Sequence, residues 1–199
     1  MKKGLLVLLV IVLIILLGAG WFVNRYNTIQ KEKVNVETAW AQVENVYQTR
    51  YDLIPNLVAT VKGAANFEKE TLTSVTEARA KMVGQVNLPP EALTDPNAFQ
   101  GFQANQAGLT SALSRLMVVV ERYPELKANQ NFLQLQAQLE GIESRIRTER
   151  MRFNDSAKAY NQLIIVFPNN LIANMIGAKA FQFFQADAQA QNAPQVKFD

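Results

Sequence analysis

The feature that most constrains this chain is an apolar stretch near its start, residues 4–23, with the sequence GLLVLLVIVLIILLGAGWFV. It carries no charged and no polar side chain. As an α-helix it would be about 30 Å long, which is the thickness of the hydrocarbon core of a bilayer. Trp21 and Phe22 lie at its end, where aromatic side chains favour the membrane interface. The stretch therefore predicts a membrane anchor, with the rest of the chain attached to it.

A cleaved signal peptide is the alternative interpretation of the same stretch. Lys2 and Lys3 form a short basic region, residues 5–17 have the length of a signal-peptide core, and residues 18–20 are small. Apolar character continues through Val23, which favours an uncleaved anchor. A lipid anchor on cysteine is excluded, because the chain has no Cys.

The composition excludes several kinds of chemistry. With no Cys and no His, the chain cannot use thiol redox chemistry, Cys/His zinc sites, or Ser-His-Asp and Cys-His catalysis. The 20 basic and 17 acidic residues nearly balance once Lys2 and Lys3 are set aside, and no basic patch is interleaved with aromatics, so nucleic acid is not a predicted partner. A carboxylate-only metal site or an Asp/Glu hydrolase remains open.

Four helical patterns follow the anchor, at about residues 24–66, 68–86, 98–122 and 124–167. In the first, apolar residues recur at alternating spacings of four and three, which is typical of a helix seam in a bundle, and Arg50 occupies one seam position. Pro55 should kink this helix. No strand-like alternation of useful length occurs. The predicted fold is all-α: an N-terminal transmembrane helix followed by an antiparallel four-helix bundle with long first and fourth helices.

The chain divides in this interpretation into an anchor (1–23), a helical bundle (24–168), and a short apolar segment with a flexible tail (169–199). The second and third helices are about half as long as the others and should pack on the membrane-distal half. The other half would then be two helices thick around Trp40, Tyr47, Phe153 and Tyr160. Two interpretations of these aromatics remain open: a buried core, or a groove or self-association surface.

Polar residues gather around Pro55. Arg50, Asp52 and Asn56 lie within two helical turns, and a chain that folds back near Phe67 places Arg79 at their level. The favoured interpretation is a structural salt bridge between Asp52 and Arg79; the alternative is a ligand or metal site, for which one Asp with two cations is poorly suited. Phe153-Asn154 and Tyr160-Asn161 repeat one heptad apart, which predicts seam aromatics beside surface amides.

At residues 50–58, RYDLIPNLV, the chain resembles the LemA family of bacterial membrane proteins. Further matches occur along the chain at Tyr26-Asn27, Ala39-Trp40, Val61-Lys62-Gly63, Glu77-Ala78-Arg79, residues 123–129, Tyr160-Asn161, Phe167-Pro168 and residues 193–198. The resemblance implies one membrane-spanning segment followed by an antiparallel helical bundle. It carries over no catalytic residues, because the family has no settled biochemical activity. The chain departs from the family pattern at residues 64–66 and 179–184.

The charges around the anchor bear on its orientation. Lys2 and Lys3 precede it, while Arg25, Lys31 and Lys33 follow. The numbers of basic residues on the two sides are therefore nearly equal, and the positive-inside rule gives little preference for either orientation. The likeness to a signal peptide favours an amino terminus inside. We therefore expect a single-pass protein of the bacterial inner membrane, with the bundle on the extracytoplasmic side.

The favoured function is a non-enzymatic scaffold or adaptor in the cell envelope. Its expected partners are the lipid bilayer and either other envelope proteins or further copies of itself. No catalytic, cofactor-binding or metal-binding residue is predicted. The alternatives are a membrane-shaping or lipid-contacting protein and a carboxylate-based enzyme. For residues 171–184, two placements remain open: in the membrane interface, or as a cap on the base of the bundle.

Overall fold

One helix, α1 (Lys2–Lys62), runs from the apolar stretch into the helical domain without interruption. The computed structural model describes residues 2–64, 67–84 and 88–185, and in this part of the chain α1 is the one helix long and apolar enough to cross a membrane. Residues 5–17 are exposed along their whole length, as a lipid-facing segment must be. The helix continues past Pro55 to Lys62, and the kink at Pro55 stays a prediction.

The remaining elements are two long helices and several shorter ones. They are α2 (Lys69–Ala80), a 3-10 helix (Pro90–Thr94), α3 (Pro96–Val120), α4 (Pro124–Lys127), α5 (Gln130–Ile165) and α6 (Asn169–Met175). The described residues contain no β-strand, which confirms the all-α prediction. They hold six α-helices and one 3-10 helix in place of the four helices that the sequence predicts.

Two observed helix boundaries differ from the predicted ones, and local features of the chain explain the difference. The Asn129 side chain accepts hydrogen bonds from the backbone N–H groups of Asn131 and Phe132, at 2.9 and 3.2 Å, and so starts α5 as a new helix. The predicted helix 124–167 is therefore split into α4 and α5. The second predicted helix ends early, at Ala80 rather than residue 86, and Gly84 follows with a φ of +76°.

Contacts between α1, α3 and α5 define the topology. Trp40, Tyr47 and Arg50 of α1 contact Phe153, Arg150 and Glu143 of α5 in that order, so these two helices are antiparallel. Along α3, Phe99 and Phe102 pack on Trp40, and Gln106 lies at Arg50, so α3 runs parallel to α1. Helix α2 packs on α1 and α3. The chain thus runs away from the membrane in α1, back towards it in α2, away again in α3 and back in α5.

An aromatic cluster fills the membrane-proximal half of the domain. Trp40, Phe99, Phe102, Phe153 and Phe184 are all buried, with ring centroids 5.0 to 6.4 Å apart. The expectation that this half is only two helices thick is wrong, because the first turns of α3 and residues 178–185 cover it. Trp40, Tyr47, Phe153 and Tyr160 are each less than 5% exposed, so they are core residues.

The segment after α6 belongs to this packing. Phe181 and Phe184 are 3% and 7% exposed, which fits the interpretation of residues 171–184 as a cap at those two positions. The division at residues 23 and 168 stays a prediction. The predicted flexible tail, residues 186–199, lies outside the described residues.

Candidate functional site

The Arg50 side chain forms a polar centre inside the apolar core. Arg50 is 1% exposed. Its Nη1 donates to Glu143 Oε1 at 2.8 Å and to Thr110 Oγ1 at 3.0 Å, and its Nη2 donates to Gln106 Oε1. One guanidinium thereby ties α1 to α3 and α5, and a charge-assisted pair of this kind fixes the helices in one register.

Tyr47 lies one turn below Arg50 and extends the polar centre. Arg150 Nε donates to the Tyr47 hydroxyl at 2.7 Å, and the Arg50 guanidinium carbon lies 5.1 Å from the Tyr47 ring centroid. Burial raises the pKa of the Tyr47 phenol, against the opposing charges of Arg150 and Arg50. Tyr47 is therefore a neutral hydrogen-bond acceptor at physiological pH and a poor proton acceptor in catalysis.

The predicted ion pair between Asp52 and Arg79 is wrong. Asp52 is exposed and accepts a hydrogen bond from Gln48 Nε2 at 2.8 Å, while the Arg79 guanidinium stacks 3.9 Å from the Tyr51 ring centroid. Asn56 is also exposed. Among the described residues, Arg50, Asp52, Asn56 and Arg79 therefore form no common site. Arg50 points into the core, and the other two α1 residues face solvent.

Pro55 explains where Arg79 binds instead. A helical proline has no N–H, so it leaves the carbonyl four residues earlier without its backbone partner. For Pro55 that carbonyl belongs to Tyr51, and Arg79 Nε donates to it at 3.4 Å. Arg79 thus compensates for the proline from the neighbouring helix, which is a structural role.

Two asparagines on α5 hold the chain's own C-terminal segment, residues 178–185. Asn154 donates to the Phe184 carbonyl at 3.0 Å and accepts from the Phe184 N–H at 2.9 Å. Asn161 makes the same pair of bonds with the backbone of Phe181, both at 2.9 Å. We call Asn154 and Asn161 the amide clamp. Two helical turns cover about 10.5 Å and three extended residues about 10 Å, so the spacings match.

Two side chains of the held segment enter the core, those of Phe181 and Phe184, and the two residues between them are less buried. Phe184 packs on Trp40, Phe99, Phe102 and Phe153, whereas Phe183 is 41% exposed. Phe181 lies 5.0 Å from the Tyr160 ring, centroid to centroid. The clamp itself binds only backbone atoms, and the two buried rings supply the sequence preference. The sequence signal for this site was the aromatic-Asn repeat, whose amides bind the segment rather than lying free on the surface.

A separate groove between α3 and α5 lies about two helical turns beyond the clamp, away from the membrane. Gln103 of α3 still belongs to the clamp region, where its Oε1 accepts from the Gln185 N–H at 3.1 Å, and the groove begins at Thr110 on α3 and at Arg147 on α5. It encloses about 300 Å³. We call it the α3–α5 groove, and its lining residues are Thr110, Leu113, Ser114, Met117, Gln136, Leu139, Glu140, Glu143 and Arg147. Leu113 and Leu139 form a buried apolar floor under a polar rim.

The acidic side chains of this groove are engaged with neighbouring groups. Glu143 binds Arg50, and Glu140 accepts from Gln136 Nε2 at 3.0 Å. In the described ranges no three acidic side chains are grouped closely enough to hold a metal ion. The groove thus combines a buried apolar floor with a polar rim whose two acids are hydrogen-bonded to Arg50 and Gln136.

These features define a class: a membrane-associated protein with one candidate spanning helix in the described ranges and an all-helical domain that contains a buried polar centre. The chain belongs to the LemA family, whose family model matches residues 39–198. That match confirms the resemblance in the motifs around Pro55 and Tyr160.

The individual relatives share only about a quarter of their aligned residues with this chain. The chain is 27% identical to magnetosome protein MamQ 2 of Paramagnetospirillum magneticum, over 81% of this chain and 65% of the relative. It is 27% identical to magnetosome protein MamQ of Magnetospirillum gryphiswaldense, over 82% of this chain and 63% of the relative. It is 24% identical to protein LemA of Metamycoplasma hominis, over 83% of this chain and 71% of the relative. The chain thus spans less than two thirds of the length of the MamQ proteins.

Removing the amide clamp should release the C-terminal segment. We expect Asn154→Ala and Asn161→Ala each to lower the free energy of unfolding by about 1–3 kcal/mol, because each leaves a partly buried backbone N–H and C=O without partners. Amide hydrogen exchange at Phe181 and Phe184 should become faster. Asn45→Ala, at an exposed position of α1, is the control. Unchanged exchange at both phenylalanines would show that the clamp does not hold the segment.

Proposed function

We propose that this protein is a non-enzymatic scaffold or adaptor, which holds an extended segment of another envelope protein beside the membrane. The observation that carries the proposal is the α3–α5 groove. About two helical turns nearer the membrane, the chain's own residues 178–185 lie against the same two helices, bound through backbone atoms and two buried aromatic rings. The groove itself has an apolar floor and a polar rim. Such a surface suits a second extended segment with apolar side chains.

The long α1 helix suits a scaffold for a mechanical reason. It passes from the membrane span into the core, where Trp40, Tyr47 and Arg50 anchor it to α3 and α5. A bound partner would then be held at a set height above the bilayer. We assign the span to the bacterial inner membrane with the domain on the extracytoplasmic side. We treat the three long helices α1, α3 and α5, together with the shorter α2, as the four-helix bundle of the family.

The relatives are compatible with this role. Two of them are named as magnetosome proteins and a third as LemA, names that specify no reaction. A carboxylate-based enzyme is the competing proposal, and it requires two converging acids that are free to exchange protons. The groove acids Glu140 and Glu143 lie on one helix and bind Gln136 and Arg50 instead.

Cross-linking in intact cells, followed by affinity capture of the full chain, tests the proposal. We expect the protein to be recovered with one discrete partner in amounts comparable to its own. The partner should be lost when Leu113 and Leu139 on the groove floor are replaced by Asp, and retained with the exposed variant Val34→Asp. Recovery of the protein only as an isolated monomer would contradict a scaffold role.

A further inference from the structure

The base of the helical domain, where α5 ends and α6 begins, exposes a patch of large apolar side chains. We call this patch the apolar base, and its residues are Ile165, Val166, Phe167, Leu171 and Met175. They are between 55% and 74% exposed, although their neighbours Ile164, Ile172 and Ala173 are buried. Contiguous apolar patches of this kind on a folded surface mark contacts with a membrane or another protein.

The pattern of burial on α1 places the apolar base at the membrane end of the domain. Phe22 belongs to the apolar stretch and yet packs against the core, and Arg25 Nε and Ile29 are buried on the same helix face. Helix α6 packs on α1 and α5, and the residues after it, Ile176 and Gly177, line a cavity with Gln30 of α1. No stalk therefore separates the domain from the end of the spanning stretch.

The charge of this region is compatible with a bilayer surface. Residues 156–185 contain no Asp or Glu, and their two charged residues are Lys158 and Lys179. An anionic membrane surface attracts nearby Lys and Arg side chains and repels carboxylates. The region thus combines exposed apolar groups with a small positive charge, as membrane-surface segments do.

From these observations we propose that the apolar base inserts into the interface of the same bilayer that α1 spans. The lipid bilayer, rather than a second copy of the chain, is the occupant because α6, which carries Leu171 and Met175, packs on α1, and core packing on α1 already begins at Phe22 within the apolar stretch. This second membrane contact goes beyond the scaffold role and does not depend on it. Together with the span, it would set the tilt of the domain and the direction in which the α3–α5 groove faces.

Site-directed spin labelling of the full chain tests this contact. The chain has no cysteine, so Phe167→Cys, Met175→Cys and Val118→Cys each accept one nitroxide label. Val118 is 65% exposed near the far end of α3 and serves as the matched control. Each labelled protein is reconstituted in vesicles of phosphatidylethanolamine and phosphatidylglycerol. Collisions with oxygen, which concentrates in lipid, are then compared with collisions with a water-soluble nickel chelate.

We expect labels at residues 167 and 175 to collide several-fold more with oxygen, relative to nickel, than the label at 118. In a further variant, Val166→Cys, the label should also show a high oxygen-to-nickel collision ratio. This ratio should fall most of the way to that of the label at 118 when Phe167 and Met175 are replaced by Ser. Matching oxygen-to-nickel ratios at 167, 175 and 118 would overturn the proposal. Shielding from both reagents, with spin–spin broadening between copies, would also overturn it, because a second copy would then cover the patch. Unchanged thermal unfolding shows that each labelled variant is folded.

Discussion

Glu143→Ala should lower the free energy of unfolding by about 3 kcal/mol, because it leaves the Arg50 charge buried without its carboxylate. Arg50 is 1% exposed, and its Nε already has no hydrogen-bond partner in the described part of the chain. Gln106 and Thr110 would remain as neutral acceptors, which cannot compensate a buried cation fully. The Glu143 side chain is 31% exposed, so we place the loss at the lower end of the range for buried pairs.

Urea unfolding of the full chain in detergent, followed by circular dichroism, measures this loss. Glu140→Ala, one turn away on the exposed side of α5, is the matched control and should change stability by less than about 0.5 kcal/mol. The double variant Arg50→Met with Glu143→Ala should recover part of the loss, since an apolar side chain of similar length fills the space. Strict additivity of the two single changes would mean that the pair does not interact.

Phe184→Ala should cost about 3–5 kcal/mol, as removal of a buried phenylalanine does in other cores. Phe184 is 7% exposed and contacts Trp40, Phe99 and Phe153 through its ring, so its loss opens a cavity in the aromatic cluster. Phe183→Ala, at the adjacent and 41% exposed position, is the control and should cost less than about 1 kcal/mol. Equal effects of the two changes would show that the C-terminal segment is not part of the core.

The helix seams could be predicted from sequence because they depend on local periodicity. Trp40, Tyr47, Phe153 and Tyr160 recur at helical spacing and are buried as that spacing requires. Periodicity does not predict the split between α4 and α5, because the sequence on both sides of Asn129 is compatible with one continuous helix. The Asn129 side chain caps the first backbone N–H groups of α5 and so starts a new helix. Local patterns therefore predicted the long elements better than their ends.

The polar contacts were less accessible to prediction. Arg50 was placed in a seam, but Glu143 lies 93 residues away and nothing local marks it as the partner. Charge and the expected turn near Phe67 pair Asp52 with Arg79, whereas the carbonyl freed by Pro55 and the Tyr51 ring bind Arg79 instead. Backbone groups carry no charge pattern in the sequence, so the binding of residues 181 and 184 by the amide clamp was also missed. In each case the deciding interaction joins parts of the chain that only the fold brings together.

Photo-cross-linking from the α3–α5 groove in living cells tests most directly whether this protein works by holding another protein. A photoreactive residue is placed in the full chain at Met117 or Gln136, which line the groove, and at exposed Val34 of α1 as the control. The scaffold role predicts an adduct with the same single partner from both groove positions and none from Val34. The absence of any adduct from Met117 and Gln136, in cells where the protein is folded in the membrane, would contradict it.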